Sequence, residues 1–231
     1  MVNPEVSSQA KISYRPIQPS DLNILEHIYT ELFPIRAPPA FYHDVVNGCG
    51  IVSWGAVDSS RPDGQSDELI GFVIACVVLA KESEVLDMLG YDSSKSDQTL
   101  VHILALGVVE AYRNFGIASS LLREVIKYAS STPTCLSVFL HVISDNNPAI
   151  SLYKKMSFKC VRRRQGFYLI NGQHYDAYLF LYCINGGRSP WSPLQLLTSI
   201  VSYTRTGFNS MVGRLCKSED GKVSTLKVGK V

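Results

Sequence analysis

The sequence predicts an α/β fold, one mixed sheet flanked by helices and followed by an amphipathic helical tail. Apolar runs of strand length alternate with helix-patterned stretches from Ile12 to Cys183, the pattern of one layered α/β domain. The run 68–80 is apolar almost throughout, as a strand buried on both faces is. Residues 159–184 read as a hairpin around Asn171-Gly172, the strongest two-residue turn signal.

Residues 1–10 are polar and expected to fray. Ile12–Arg15 alternates like a strand. Ser20 is the predicted cap of a helix whose face is Leu22, Leu25, Ile28, Tyr29 and Leu32. Phe33-Pro34 ends it, because the residue before proline avoids the helical region. Pro38-Pro39 opens a short helix through Val46, and strands follow at 51–57 and 68–80. The acidic connection 81–98 is expected to be a solvated insertion, with a lid over the site as the alternative. A strand at 99–109, a helix at 115–130 and a strand at 135–144 come next. A short helix over 148–156 is capped by Asn146 or Asn147, with Pro148 where proline is tolerated.

The charge is uneven. Seven of the 22 Lys/Arg and two of the 20 Asp/Glu lie from Arg188 onward, leaving 15 basic against 18 acidic residues before it. A mildly acidic body does not match a nucleic-acid binder. Over 188–217, Leu194, Val201, Phe208 and Leu215 recur every seven residues, with Leu197, Ile200, Met211 and Val212 beside them. Polar residues interrupt this stripe too often for a membrane span. An interfacial segment over 190–217, led by Trp191, is expected. The division is therefore a flexible N-terminus at 1–10, a domain at 11–187 and a basic, membrane-associating tail at 188–231. The six cysteines are scattered without a C-x-x-C pair, so zinc is not expected and the thiols should be free. No secretory leader pattern opens the chain, which predicts a reducing compartment.

Two motifs carry chemistry. Leu106-Gly107-Val108 ends a strand and leads into Arg113-Asn114-Phe115-Gly116-Ile117-Ala118-Ser119 at the start of a helix. Small residues at 116 and 118 leave backbone N–H groups uncovered, the helix N-terminus adds its dipole and Arg113 adds a charge, so the turn suits a pyrophosphate. This resembles the acetyl-CoA signature [RQ]-x-x-G-x-[GA] of the GNAT acetyltransferases. Asn146-x-x-Ala149-x-x-x-Tyr153-x-x-x-Ser157-Phe158 is similar to the second GNAT block, with Ser157 where glycine is usual.

Within that superfamily, Phe33-Pro34-Ile35, His102-Ile-Leu-Ala-Leu-Gly-Val, Leu140-His141-Val and Ile184-Asn-Gly-Gly-x-x-Pro190-Trp191 resemble the NatF-type N-terminal acetyltransferases. The resemblance implies acetyl transfer from acetyl-CoA, without a metal, to the α-amine of proteins starting with Met and a hydrophobic or amphipathic residue. It implies a peripheral enzyme on the cytosolic face of a membrane, Golgi or plasma membrane. Membrane proteins with cytosolic N-termini would be its substrates, and no obligatory auxiliary subunit is expected.

By the same resemblance, the backbone of 106–108 holds the pantetheine arm, with Asn146 bonding that arm or simply capping a helix. His141 is the implied base, His102 stands where the type usually has tyrosine, and Tyr153 is the implied proton donor to the leaving thiolate or an aromatic packed beneath it. The peptide groove is expected between Phe33-Pro34 and Phe167-Tyr168, with Leu104 and Arg36 at it; Arg36 replaces the acidic residue typical of the type. Arg162–Arg164 reads as a solvated strand edge, or as a site for phosphates or anionic lipid. A modest base suffices for an α-amine, whose pKa of roughly 7.7–8.0 leaves about a tenth neutral near pH 7, against well under a thousandth of lysines. Two rivals stand: a protein lysine acetyltransferase, histones included, and a catalytically silent, membrane-tethered CoA-binding module.

Overall fold

A computed structural model describes residues 10–62, 64–89 and 97–187. Seven strands form one sheet: β1 (Ile12–Pro16), β2 (Ile51–Asp58), β3 (Leu69–Leu79), β4 (Thr99–Val108), β5 (Cys135–Ile143), β6 (Lys159–Ile170) and β7 (Gln173–Cys183). Their order across the sheet is β1-β2-β3-β4-β5-β7-β6. Every pairing is antiparallel except β4 with β5. The mixed sheet of the sequence reading is therefore the observed one, and its single parallel pair is the crossover that α3 (Ile117–Ser131) makes.

Helices cover both faces. On one, α3 buries Ile117, Leu121, Leu122, Val125 and Ala129, and α4 (Asn147–Lys155) buries Ala149, Ile150 and Tyr153, against Val73, Val101, Leu140 and Phe180. On the other, α1 (Leu22–Leu32) and α2 (Pro39–Asn47) pack Leu25, Ile28, Tyr29, Phe41 and Val45 onto Phe72, Ile74 and Ala105. Each fully buried Leu, Ile or Phe is worth roughly 1.5–3 kcal/mol. With a helical layer on either side, β3 is buried continuously from Leu69 to Ala75.

Ser20 does not cap α1. A 3-10 turn, Pro19–Asp21, precedes that helix, and Asp21 stands at the N-cap. The Asp21 carboxylate accepts from the Gln18 N–H and from both terminal nitrogens of Arg15. The Asn171-Gly172 turn is as expected, with both residues at positive φ (51° and 79°).

The described part of the connection after β3, residues 80–89, departs from the solvated insertion. Two 3-10 turns, Ala80–Glu82 and Leu86–Met88, lay Val85 and Leu89 into a cluster with Leu136, Phe139 and Leu179. Buried apolar residues pin this strap to the sheet. The tail from 188 onward, with its expected membrane segment, lies outside the described residues. Asn185 fixes the chain at the end of β7: its side-chain amide donates to the carbonyls of Thr132 and Cys135.

Candidate active site

Two irregularities open the sheet at its centre. In the β3–β4 ladder Ile74 faces Ala105 but Ala75 faces Ile103, so Leu104 is an extra residue, a bulge on β4. The β4–β5 ladder stops at Ile103 opposite Leu140. Past that point β5 stays with β7 (His141 opposite Leu179), while β4 runs on to Val108 along β3. The β5-facing edge of Leu104–Val108 is left without a strand partner. A narrow gap there is lined by Leu104, Leu106, His141 and Tyr153. An extended ligand can add itself to such an edge as a strand would.

Below the gap lies a cleft of about 500 Å³, lined by Val108, Arg113, Asn114, Gly116, Ile117, Ala118 and Ser119, and by Tyr112, Pro148, Ser151, Leu152 and Lys155. Asn114 and Gly116 are left-handed (φ 69° and 78°). Gly116 is the N-cap of α3. Successive N–H groups turned inward at a helix start suit a pyrophosphate. The Arg113 Nε donates to the Val108 carbonyl (3.3 Å), which holds the guanidinium at the cleft. Lys155 supplies a second cation from α4.

The remaining expected cofactor residues sit differently. Phe115 packs at the margin of the α3–α4 core. A Cβ on Gly107 would meet Leu32, Phe72 and Phe33, so that glycine serves packing on the opposite face. Asn146 caps α4, its side-chain oxygen accepting from the Ala149 N–H at 3.3 Å.

His141 is 3% exposed. Its ring stacks on Phe167 (centroids 4.4 Å) and meets His102 edge-on (5.8 Å). His102 stacks flat on Phe139 at 4.3 Å. The strap brings in a residue that sequence reasoning missed: Glu84 Oε1 lies 2.9 Å from His141 Nε2. The other Glu84 oxygen pairs with Arg164 of β6, whose guanidinium lies 5.5 Å from the centre of the Phe167 ring. Arg164 is thus tied into the site rather than being a bare solvated edge. Nothing in the spacing of the 81–98 acids singles out Glu84, because the contact spans the sheet.

Tyr153 is buried against Phe158 and Phe180. Burial alone drives its phenol well above the ordinary value. Tyr168 is buried too, and is likewise raised by burial and by Tyr153. Phe33 is stacked on Tyr29 and Phe72 inside the α1–α2 core. Its ring thus forms the floor under the expected groove, while Pro34 and Arg36 are exposed above it. Ile35, like Phe167 and Tyr175, packs against the buried cluster of Tyr168, Ile170 and Ala177, joining the α1–α2 loop to the β6–β7 hairpin. Burial raises the thiols of Cys76 (to about 11), Cys135, Cys160 and Cys183, so none is poised as a nucleophile. Among the described residues no group of His, Cys, Asp or Glu is arranged to hold a metal ion.

A bulged strand, a splayed parallel pair and a left-handed turn opening the crossover helix together fit an acyltransferase that draws on acyl-CoA. The chain belongs to the acetyltransferase (GNAT) family, whose model matches residues 22–158. A relative from Arabidopsis thaliana named histone acetyltransferase MCC1 is 55% identical over 93% of this chain and 87% of its own length. N-alpha-acetyltransferase 60 of Danio rerio is 29% identical over 79% of this chain and 74% of its own. The crystal structure of Arabidopsis thaliana NAA60 with acetyl-CoA is 64% identical, with a TM-score of 0.74 over 76% of this chain and all of that one. The same protein with a bisubstrate analogue gives 62% and 0.73. This chain is an acetyltransferase close to the NAA60 enzymes, and acetyl-CoA is its cosubstrate.

Proposed function

We propose that the protein acetylates the α-amine of protein N-termini, and that Met followed by a hydrophobic or amphipathic residue is its preferred start. The observation that carries this reading is His141, buried where β4 and β5 part, beside the unpartnered edge of β4 and in contact with Glu84. Likeness to enzymes named N-alpha-acetyltransferase 60 supports it.

Acetyl-CoA supplies an activated acyl group. The fit of the chain to it is local: the Asn114–Ser119 turn and Lys155 suit the phosphates, and the β4 edge suits the pantetheine amides. His141 takes the proton from the incoming ammonium, directly or through one water. The Glu84 carboxylate 2.9 Å from His141 Nε2 favours a proton on that nitrogen and the lone pair on Nδ1. His102 is the second group placed to relay a proton, edge-on to His141. The free amine attacks the acyl carbon. As the adduct collapses the carbon–sulfur bond breaks, the nitrogen gives up its second proton and the departing sulfur takes one, so that the amide and the CoA thiol leave and one proton is released overall. Tyr153 lines the same gap, and its raised phenol stays protonated at neutral pH, as a donor to that sulfur must. The high thiol values favour direct transfer over an acyl-cysteine.

The acceptor groove runs between the α1–α2 loop and the hairpin, over Leu104, Phe167 and Tyr168. Arg36 at its mouth disfavours a lysine in second position. From the sequence of 190–217 we place the enzyme on the cytosolic face of a membrane, Golgi or plasma membrane, acting on membrane proteins with cytosolic N-termini. Ending the chain after Gly187 is expected to abolish partition to vesicles without abolishing turnover.

A second reading, lysine acetylation, draws support from the 55%-identical relative, which is named a histone acetyltransferase. Transfer from labelled acetyl-CoA to peptides starting Met-Leu, Met-Lys, Met-Ala, Ser and Asp-Asp separates the two. Each is run with a free and with a blocked N-terminus, the blocked set carrying an internal lysine. Turnover confined to free Met-hydrophobic ends is the expected result; turnover on blocked lysine peptides alone overturns it.

A further inference from the structure

The phosphate-binding turn is tied to a distant part of the sheet by one buried carboxylate. Asp58, 2% exposed at the end of β2, collects four donors. These are the N–H of Lys11 (3.1 Å), the N–H and hydroxyl of Ser60 (3.0 and 2.6 Å), and the phenol of Tyr112 at 3.1 Å. Tyr112 closes the 3-10 turn Glu110–Tyr112 and lines the 500 Å³ cleft one residue before Arg113.

Apart from the Val109 N–H, which donates to the Ile70 carbonyl (2.9 Å) and so continues the β3–β4 ladder to the start of the turn, the other bonds that shape it are local. The Tyr112 N–H donates to Val109, the Arg113 N–H to Glu110, and the Arg113 side chain to Val108. Short-range bonds of this kind form and break with the turn itself. The Tyr112–Asp58 bond, by contrast, crosses 54 residues and reaches a strand end already fixed by β1 and β3.

We propose that Asp58 is a positioning residue for the acetyl-CoA pyrophosphate, holding Tyr112 and through it the left-handed Asn114 and Gly116 in the conformation that presents their N–H groups. Asp58 touches neither the acyl group nor the peptide; its effect reaches the cosubstrate through Tyr112. Ordering of the turn and of the β1–β2 edge is thereby coupled, because the same carboxylate accepts from Lys11 at the start of β1.

The test compares acetyl-CoA with S-acetyl-pantetheine, which has the same thioester and arm but no pyrophosphate. Tyr112→Phe removes one hydroxyl and leaves the ring. It should lower the ratio of kcat/KM for acetyl-CoA to that for S-acetyl-pantetheine by roughly tenfold, the low end of what a hydrogen bond to a charged group contributes. The change should lie in KM for acetyl-CoA. Asp58→Asn should lower the ratio as much, and the double variant no further. An Asp58 variant that merely destabilises the fold lowers both substrates together and leaves the ratio unmoved. A ratio unchanged in folded Tyr112→Phe overturns the proposal, whichever acceptor the enzyme uses.

Discussion

Nε2 of His141 and Oε1 of Glu84 lie 2.9 Å apart, on a β5 residue and a strap residue 57 positions away in sequence. The strap is held there by Val85 and Leu89 and by the pairing of Glu84 with Arg164. A carboxylate in this position favours one tautomer of the imidazole and steadies the ring, the role the acid of a catalytic triad has. Glu84→Gln keeps the shape and removes the charge. We expect kcat to fall about tenfold or more, a part of the roughly 10²–10⁴ that a positioned acid–base group supplies, while the Kd for acetyl-CoA stays put. Calorimetric titration beside steady-state kinetics reads both. An unchanged kcat would show that His141 works without the carboxylate.

Asp58 should leave a mark on acid stability. Burial alone would raise its carboxyl, but the bonds from Ser60, Tyr112 and Lys11 outweigh that and hold it below the ordinary 3.8. A depressed folded value means the ionised form stabilises the native state above the unfolded value. That contribution is lost as pH falls from near 3.8 through the lower folded value. The gap in Tm between the parent and Asp58→Asn should therefore be full at pH 6 and close toward pH 2. A gap that does not narrow with acid would locate the stabilisation elsewhere.

Most elements were legible because local pattern and tertiary position agree. The α1 face of Leu25, Ile28 and Tyr29 is buried as its period predicts, and Asn171-Gly172 supplies the two positive φ values a tight hairpin needs. The geometry of the turn at 113–119 was legible because it is contiguous: one stretch provides the left-handed residues, the cation and the helix start. The Leu104 bulge, Tyr112–Asp58 and Glu84–His141 were not, since each depends on register or on a strap crossing the sheet. Phe33 shows the same limit. The motif puts it beside the acceptor groove, but three-dimensional packing makes it a core ring below that groove.

Tyr153 separates a donor from a base. Burial lifts its phenol far above 10, so it keeps its proton across the working range and contributes no limb to a pH–rate profile there. Tyr153→Phe should lower kcat by about tenfold or more, by the same factor at every pH between 7 and 9. A loss that grew toward alkaline pH would mark the phenolate as the active form and reverse the assigned role. Protein folding is checked separately by the melting temperature, because the ring itself packs on Phe158 and Phe180.

Gly107 and Gly116 belong to one sequence motif and are glycine for different reasons. A Cβ on Gly107 would stand 2.8 Å from Leu32 Cδ1, 3.2 Å from Phe72 Cζ and 3.3 Å from Phe33 Cε2. Gly107→Ala therefore overpacks the α1 face of the sheet, at a cost of about 1–3 kcal/mol. A Cβ on Gly116 meets nothing within 4 Å, but its φ of 78° is one that L residues avoid, at about 1–2 kcal/mol. There the chain can relieve the strain by turning the N–H groups away from the phosphates. Gly107→Ala should thus lower the melting temperature, with little change in the acetyl-CoA Kd of the folded protein. Gly116→Ala should raise that Kd by about fivefold or more, a shift that the relieved strain alone can produce. Calorimetric titration and thermal melts on the two variants read this contrast directly. Equal losses of affinity in both would mean that the backbone of β4, and not the turn, limits how the cosubstrate binds.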